Sequence, residues 1–426
     1  MDREMKSVAF ATLGCKANYV DTEAMIAACR SAGLRVVPFD APADAYVVNT
    51  CTVTSTADQQ SRQMLRRPGR ARPGAMVVAV GCAAEVDRDS LAACGVDAIF
   101  GTRERKASLD FLFEKLGVSD GASGAGSCLP QSRARAFIRI QDGCDRSCAY
   151  CIVPRARGAA VSVPPEEIEG SCIALSRHHR EVVLTGIDIG QYRHRPAGRS
   201  AVDLLGLVAR LASVEGMPRL RLSSIDPTVV TEEFASLMAA SKKICRHVHL
   251  SVQSGSDPVL RRMGRNYGAR EIERAVSLLK ERVEGIAVTA DLIAGFPGET
   301  DGEHRSSAEL VRRLSFAGLH VFPYSERAGT RAAAMPGKVD AAVRKGRAAE
   351  LRAAARESRA AFLEGQIGAP LEAIVTSRAE GADGTVKAFT DNAVSVTLPS
   401  GAISYGEIGG AVITRVCELE DRKSVV

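Results

Sequence analysis

Short apolar runs alternate with stretches of helical periodicity along the first quarter of the chain. Ser7–Leu13, Ala45–Thr50, Met76–Gly81 and Asp97–Phe100 read as strands, and segments such as Asp21–Ala32 and Thr54–Arg66 between them read as helices. Continuous apolar strands separated by helices predict a parallel α/β sheet covered on both faces, placed here at 5–118. A Gly- and Ser-rich stretch, 119–132, reads as a flexible linker. Its Gly121-x-x-Gly124-x-Gly126 carries no nucleotide signal, because no strand precedes it and no helix follows.

The alternation resumes over 133–364. Phe137–Gln141, Glu181–Gly186, Arg219–Ser223, His247–Gln253, Ile286–Ile293 and Leu319–Tyr324 read as strands, with helices such as Ala269–Glu281 and Glu303–Leu314 between them. Six βα units predict a partial TIM-type barrel with its chemistry at the carboxyl ends of the strands. The Ala- and Arg-rich Val339–Glu364 reads as one long connecting helix. Over 365–424 the pattern turns to alternating strands at Leu371–Ser377, Thr385–Phe389, Ala393–Leu398 and Val412–Cys417, a small β-barrel or OB-like module. The fold class is therefore α/β in three domains. That agrees with 426 residues, since single cores stop growing near about 250–300 residues.

Composition changes the picture only by exclusion. With 46% hydrophobic and 25% charged residues, wholesale disorder is ruled out. No apolar run reaches the roughly 18 residues of a membrane span, so no membrane partner is expected. The opening Met1–Ser7 has no signal-peptide architecture, which suggests a cytoplasmic protein. In that setting twelve cysteines point to metal or redox chemistry rather than disulfides. A net charge of +6 tolerates a polyanionic partner without demonstrating one.

Two cysteine sets carry the chemistry. Cys144-x3-Cys148-x2-Cys151 follows the first barrel strand, and three thiolates on one loop suit an iron–sulfur cluster or zinc. With no fourth Cys in the loop a metal position stays open, as chemistry requires; the bland alternative is a structural zinc loop. Cys15, Cys51 and Cys82 are 36 and 31 residues apart, yet each directly follows a strand. In an open parallel sheet those carboxyl ends line one crevice, which predicts a second cluster; the bland alternative is three small buried hydrophobes. Cys29, Cys94, Cys128, Cys172, Cys245 and Cys417 read as packing residues, and His178 and His179 as solvated helical positions.

The chain resembles the radical S-adenosylmethionine (SAM) methylthiotransferases in motifs that run nearly end to end. Thr12-Leu-Gly-Cys-Lys-Ala-Asn18, Asn49-Thr-Cys-Thr-Val-Thr54, Asp142–Pro154 followed by Arg157-Gly158, Leu184–Gly190, His247–Ser256, Asp291–Thr300 and Phe322–Ser325 carry the similarity. The resemblance implies two 4Fe–4S clusters. The one on Cys144, Cys148 and Cys151 would bind SAM through its open iron and cleave it to a 5′-deoxyadenosyl radical. The one on Cys15, Cys51 and Cys82 would carry the sulfur that is methylated and inserted. Radical chemistry suits an unactivated C–H bond, which offers no proton to a side-chain base. Alternation puts His247, His249, Ser251 and Gln253 on one face of their strand, so Gln253 is a candidate SAM neighbour, as is Glu299 at the Gly295–Glu299 turn. Arg155 stands where the family commonly has Tyr, and Tyr19 where it commonly has Gln.

The resemblance implies tRNA as partner, together with a reductant protein and a sulfur source that the sequence does not identify. Gly14-Cys15-Lys16-Ala17-Asn18 leans toward the branch that methylthiolates carbon 2 of N6-threonylcarbamoyladenosine at position 37, with Arg155 a candidate for the threonyl carboxylate. The alternatives are isopentenyladenosine in tRNA, a ribosomal protein side chain, or an RNA-binding iron–sulfur sensor without catalysis. The C-terminal module resembles the TRAM type, yet five basic residues against eight acidic give residues 365–426 a charge of −3. Basic runs lie instead at Arg62, Arg66, Arg67, Arg70 and Arg72, at Arg261, Arg262 and Arg265, and at Arg344, Lys345, Arg347, Arg352, Arg356 and Arg359.

Overall fold

The computed structural model describes residues 5–118, 131–196, 198, 200–378 and 384–416, except for the side chains of 69–71. Most of the expected linker, the Gly121–Gly126 pattern, Cys128, Cys417 and the Arg70 side chain lie outside the described residues.

Five parallel strands form the N-terminal sheet, in the order Arg35–Val37, Ser7–Thr12, Ala45–Thr50, Met76–Gly81, Ala98–Phe100. Ala45–Thr50 is buried at every position, as a central strand covered on both faces must be. Two helices outrun their sequence signal. Lys16–Ser31 starts directly after Cys15 rather than at Asp21, because polar Asn18 interrupts the periodicity. Its side chain is buried and donates to Leu13 O (2.8 Å) and Thr50 O (3.0 Å). Ser55–Ala71 continues past Pro68, which costs the ladder one N–H bond and is followed by the end of the helix within one turn.

Six parallel segments build the open barrel, in the order Ala136–Arg139, Glu181–Thr185, Arg219–Ile225, His247–Gln253, Ala287–Ala294, Gly318–Pro323. The third breaks at Ser223, so that Arg219–Leu222 pairs with 181–185 while Ser224–Ile225 pairs with 247–253. Val248, Leu250, Val252, Val288, Ala290 and Leu292 belong to one continuous buried core with helices Ala269–Arg282 and Asp301–Leu314. Thr300 and Glu303 cap the second of these helices reciprocally.

The helix Ala341–Glu364 lies along the last barrel strand, with Arg352 donating to Val321 O at 2.8 Å and Arg359 to Ala317 O at 3.1 Å. Four antiparallel strands follow, in the order Ser395–Pro399, Thr385–Thr390, Pro370–Val375, Ile408–Val412. The last strand ends at Val412 instead of starting there. Gly409 and Gly410 hide it from an apolar pattern, and at Gly409 an added Cβ would meet Ile403 at 2.5 Å. No described helix is long and apolar enough to cross a membrane.

Candidate active site

The strands that precede Cys15, Cys51 and Cys82 are direct neighbours in the sheet, so the three thiols share the crevice at its carboxyl edge. Each lies within electrostatic range of the others. Gly14, at φ +91°, allows the close approach, since a Cβ there would stand 2.6 Å from Cys51 Sγ. Ser61 Oγ accepts from Cys51 N at 3.1 Å, and Cys82 Sγ lies 3.6 Å from Asn18 Oδ1. Burial pushes the Cys51 thiol up to about 12 and Cys82 to about 11. Buried thiols of this kind ionise when a metal supplies the compensating charge.

The second set lies on the loop after strand Ala136–Arg139, closed by Cys144 N donating to Gly158 O at 3.0 Å. Cys144 Sγ accepts from Gln191 Nε2 at 3.1 Å and from Arg146 N at 3.4 Å. Cys148 Sγ accepts from Arg265 Nη1 at 3.1 Å, and Arg265 is held in turn by Asp226 (3.1 Å) and Tyr267 Oη (2.7 Å). Burial pushes the Cys151 thiol up to about 12. Three thiols, each with an N–H donor already aimed at it (Val153 N at Cys151), fit a cluster whose sulfur ligands are hydrogen-bonded.

Gln253 closes its strand at φ +67°, where the register with 287–294 shifts, so the side-chain alternation stops just before it. His247, His249 and Ser251 keep to the opposite side from fully buried Val248, Leu250 and Val252. Glu299 Oε2 accepts from Gly295 N at 2.6 Å and from Arg347 Nη1 at 3.0 Å. Burial nevertheless raises its carboxyl above the ordinary value. Arg155, exposed on the short helix Val153–Arg157, donates to Ala328 O at 3.2 Å. His178 is exposed as expected, but His179 is not solvated: it is buried, and its Nε2 accepts from Gln131 N at 3.1 Å. Tyr19 packs edge-on against Phe137, with centroids 5.1 Å apart, and so sits at the junction of sheet and barrel.

One arginine joins the two cysteine sets. Arg157, buried six residues after Cys151, donates to Asn18 Oδ1 (2.5 Å), Asp21 Oδ2 (2.9 Å) and Asp142 Oδ1 (2.8 Å). Arg105 bridges the same two aspartates, and Arg139 also reaches both. Sequence reasoning placed Arg157 and Asn18 only inside quoted motifs and missed Gln191. Arg265, read as part of a basic run, belongs to the Cys148 site.

Other members of the basic runs are also engaged within the protein. Arg67 pairs with Asp40, Arg72 with Asp44, Arg262 with Glu303, and Arg347 with Glu299 and Asp301. Arg66, Arg261, Lys345 and Arg356 are exposed and have no ion-pair partner among the described residues.

Residues 7–101 match the family model of the Uncharacterized protein family UPF0004, and residues 138–311 that of the Radical SAM superfamily. The chain is 38% identical to the threonylcarbamoyladenosine tRNA methylthiotransferase MtaB of Bacillus subtilis over 80% of its length and 79% of the relative's. It is 34% identical to the protein of that name from Thermotoga maritima, covering 83% and 82%. Among solved structures, the radical SAM methyltransferase TsrM of Kitasatospora setae superposes with a TM-score of 0.57 over 77% of each chain at 16% identity, a likeness of fold. The fold and site define an enzyme of the radical SAM class. The chain belongs to the radical SAM methylthiotransferases, whose cofactors are SAM and 4Fe–4S clusters.

Proposed function

We propose that the protein methylthiolates carbon 2 of N6-threonylcarbamoyladenosine at position 37 of tRNA, in a three-part chain divided at 5–118, 133–364 and 365–424. The observation that carries this reading is the pairing of two three-cysteine sets through Arg157, in a chain similar over most of its length to enzymes named for that nucleoside. Cys144, Cys148 and Cys151 would hold the cluster that binds SAM, and Cys15, Cys51 and Cys82 would hold the other. When bound, these groups supply the radical and the sulfur that no side chain can provide.

The chain's own part is positioning. Gln191 and Arg265 hold the thiolates of Cys144 and Cys148 through N–H donors. Gln253, at the carboxyl end of its strand, and Glu299, in the turn that follows Ala294, flank SAM. Arg157 and Asn18 set the distance between the two sets. The partner is tRNA, the compartment the cytoplasm, and the electrons and sulfur come from a reductant protein and a donor.

Mass spectrometry of tRNA nucleosides tests the substrate. Deleting the gene removes the 2-methylthio derivative and leaves threonylcarbamoyladenosine to accumulate. Loss of 2-methylthio-isopentenyladenosine instead would overturn the substrate while leaving the chemistry. Failure to form 5′-deoxyadenosine from SAM and a reductant would favour the non-catalytic sensor.

A further inference from the structure

Three metal-ligating side chains that belong to neither cysteine set stand on three consecutive strands of the barrel. His249 is on His247–Gln253, Asp291 on Ala287–Ala294 and His320 on Gly318–Pro323. In register His249 stands opposite Thr289, and Asp291 opposite His320. Strand alternation therefore puts all three on one side, while buried Val248, Leu250, Ala290 and Leu292 occupy the other.

The donor atoms converge. His249 Nε2 lies 3.1 Å from Asp291 Oδ2, and His320 Nδ1 lies 3.1 Å from Asp291 Oδ1. One ligand atom from each residue falls within 4.8 Å of the other two, and the imidazole centroids are 5.3 Å apart. The far nitrogen of His249, Nδ1, is 2.8 Å from Thr289 Oγ1, which lies 2.9 Å from His247 Nε2. A polar partner at the far nitrogen is the usual means of fixing a ligating imidazole. Burial works against charge on Asp291, but His249 and His320 beside it hold the carboxyl well below its ordinary range.

We propose that His249, Asp291 and His320 form a site for one divalent transition-metal ion inside the barrel, separate from the iron–sulfur sites. Bond lengths of about 2.0–2.2 Å put neighbouring ligand atoms about 3.0–3.5 Å apart. Each imidazole already stands 3.1 Å from one oxygen of Asp291, and the ligand atoms, within 4.8 Å of one another, would draw together on an ion. Two imidazoles and one carboxylate leave further positions open for water or substrate oxygen. With a single carboxylate, the site has little pull on hard cations, which need several oxygen ligands. Imidazole affinity decides, favouring Zn²⁺, Co²⁺ or Fe²⁺ over Mg²⁺ and Ca²⁺.

The test equilibrates the cluster-loaded full chain anaerobically with Zn²⁺, removes free metal and counts zinc against iron. One zinc per chain beyond the irons is expected, with X-ray absorption at the zinc edge showing imidazole and oxygen neighbours and no sulfur. H320A and D291N should both lose the zinc while keeping their iron. The His320 side chain is 41% exposed, so its removal leaves no buried cavity, and Asn preserves the shape of Asp291. Absence of bound zinc, sulfur neighbours, or zinc retained in both variants would overturn the site. The wild-type spectrum decides even where a variant loses iron, and no readout depends on methylthiolation.

Discussion

Arg157 donates to Asn18 Oδ1 at 2.5 Å, and that same oxygen lies 3.6 Å from Cys82 Sγ. The guanidinium also binds Asp142, two residues before Cys144. A single buried side chain thus spans from one cysteine set to the other. Sulfur insertion requires both sets to address one substrate atom, and held geometry of this kind replaces chance encounter. The planar fork of Arg serves three acceptors at once, which a Lys ammonium cannot match in direction.

Substituting Arg157 should therefore uncouple the two half-reactions. R157K keeps the charge but loses the fork, and a displacement of about 1 Å costs on the order of 10²-fold in rate. Methylthiolation should fall by about that factor while 5′-deoxyadenosine still forms. R157A removes one of the three arginines on Asp21 and Asp142. Because Arg105 and Arg139 remain, the loss of stability, visible as a lower Tm, should be smaller than the about 3–5 kcal/mol of an uncompensated buried charge. Equal loss of both activities in R157K would show that Arg157 only maintains the fold.

Iron content separates the two cysteine sets. Two 4Fe–4S clusters amount to about eight irons per chain. Changing Cys144, Cys148 and Cys151 to Ala should halve the iron and abolish SAM cleavage. Changing Cys15, Cys51 and Cys82 should also halve it, leaving SAM cleavage intact and stopping methylthiolation. Full iron in the second variant would remove the N-terminal site.

Gln191 supplies a prediction with a sign. An N–H aimed at a cluster ligand stabilises the extra electron of the reduced state, so losing it lowers the potential. Gln191 Nε2 donates to Cys144 Sγ, whereas the N-terminal set takes its N–H donors from other residues, Val53 N at Cys51 and Arg157 at Cys82. Redox titration of Q191L should show one cluster shifted to more negative potential and the other unmoved. Two equal shifts, or none, would contradict the geometry.

Both cysteine sets were legible in the sequence because each thiol follows a strand or shares one loop, features that depend on local pattern. The strands Ala45–Thr50, Met76–Gly81 and His247–Gln253 were readable to the residue for the same reason. What escaped depends on long-range pairing. Gln191 and Arg265 meet Cys144 and Cys148 from 47 and 117 residues away, and no local period announces that. The same limit applied to the arginines of Ala341–Glu364, whose spacing read as a charged face. Arg347 instead binds Glu299 and Asp301, while Arg352 and Arg359 bond to barrel carbonyls.

Glu181 gives the pH dependence. Buried at the start of its strand, it accepts from Arg219 at 2.6 Å and Arg221 at 2.7 Å, with Arg135 at 3.5 Å. Burial would raise its pKa, but these arginines prevail and hold it at about 2 against an ordinary 4.5. A depressed carboxyl stabilises the fold above its unfolded pKa, so the contribution is complete above about 4.5 and vanishes as pH falls toward 2. The shift corresponds to roughly 3 kcal/mol. Arg221 also donates to Thr390 O at 2.8 Å, so the C-terminal module should loosen in the same window. Urea midpoints at pH 5 and pH 3 should fall steeply in the wild type and less in E181Q; parallel curves would rule out Glu181 as the titrating group.

The RNA-facing surface is the last prediction, and the ion pairs sharpen it. Neutralising a lysine or arginine that touches a phosphate lowers the log–log salt slope of tRNA binding by roughly 0.7–0.9. Arginines already committed within the protein cannot behave so: R352A and R359A should lower Tm through lost bonds to Val321 O and Ala317 O, with the slope unchanged. Arg66, Arg261, Lys345 and Arg356 are exposed with no ion-pair partner among the described residues, so contact with RNA costs them no internal bond. Their substitution by Ala, one at a time, should leave stability within about 0.5 kcal/mol of wild type. The slope should then fall for those positions that meet the backbone. The C-terminal module, acidic over 365–426, should contribute less to the slope than the barrel and its connecting helix. If all four single variants kept the wild-type slope while R378A or K387A reduced it, the acidic module would be the binding surface despite its charge, and contact would rest on local placement rather than net potential.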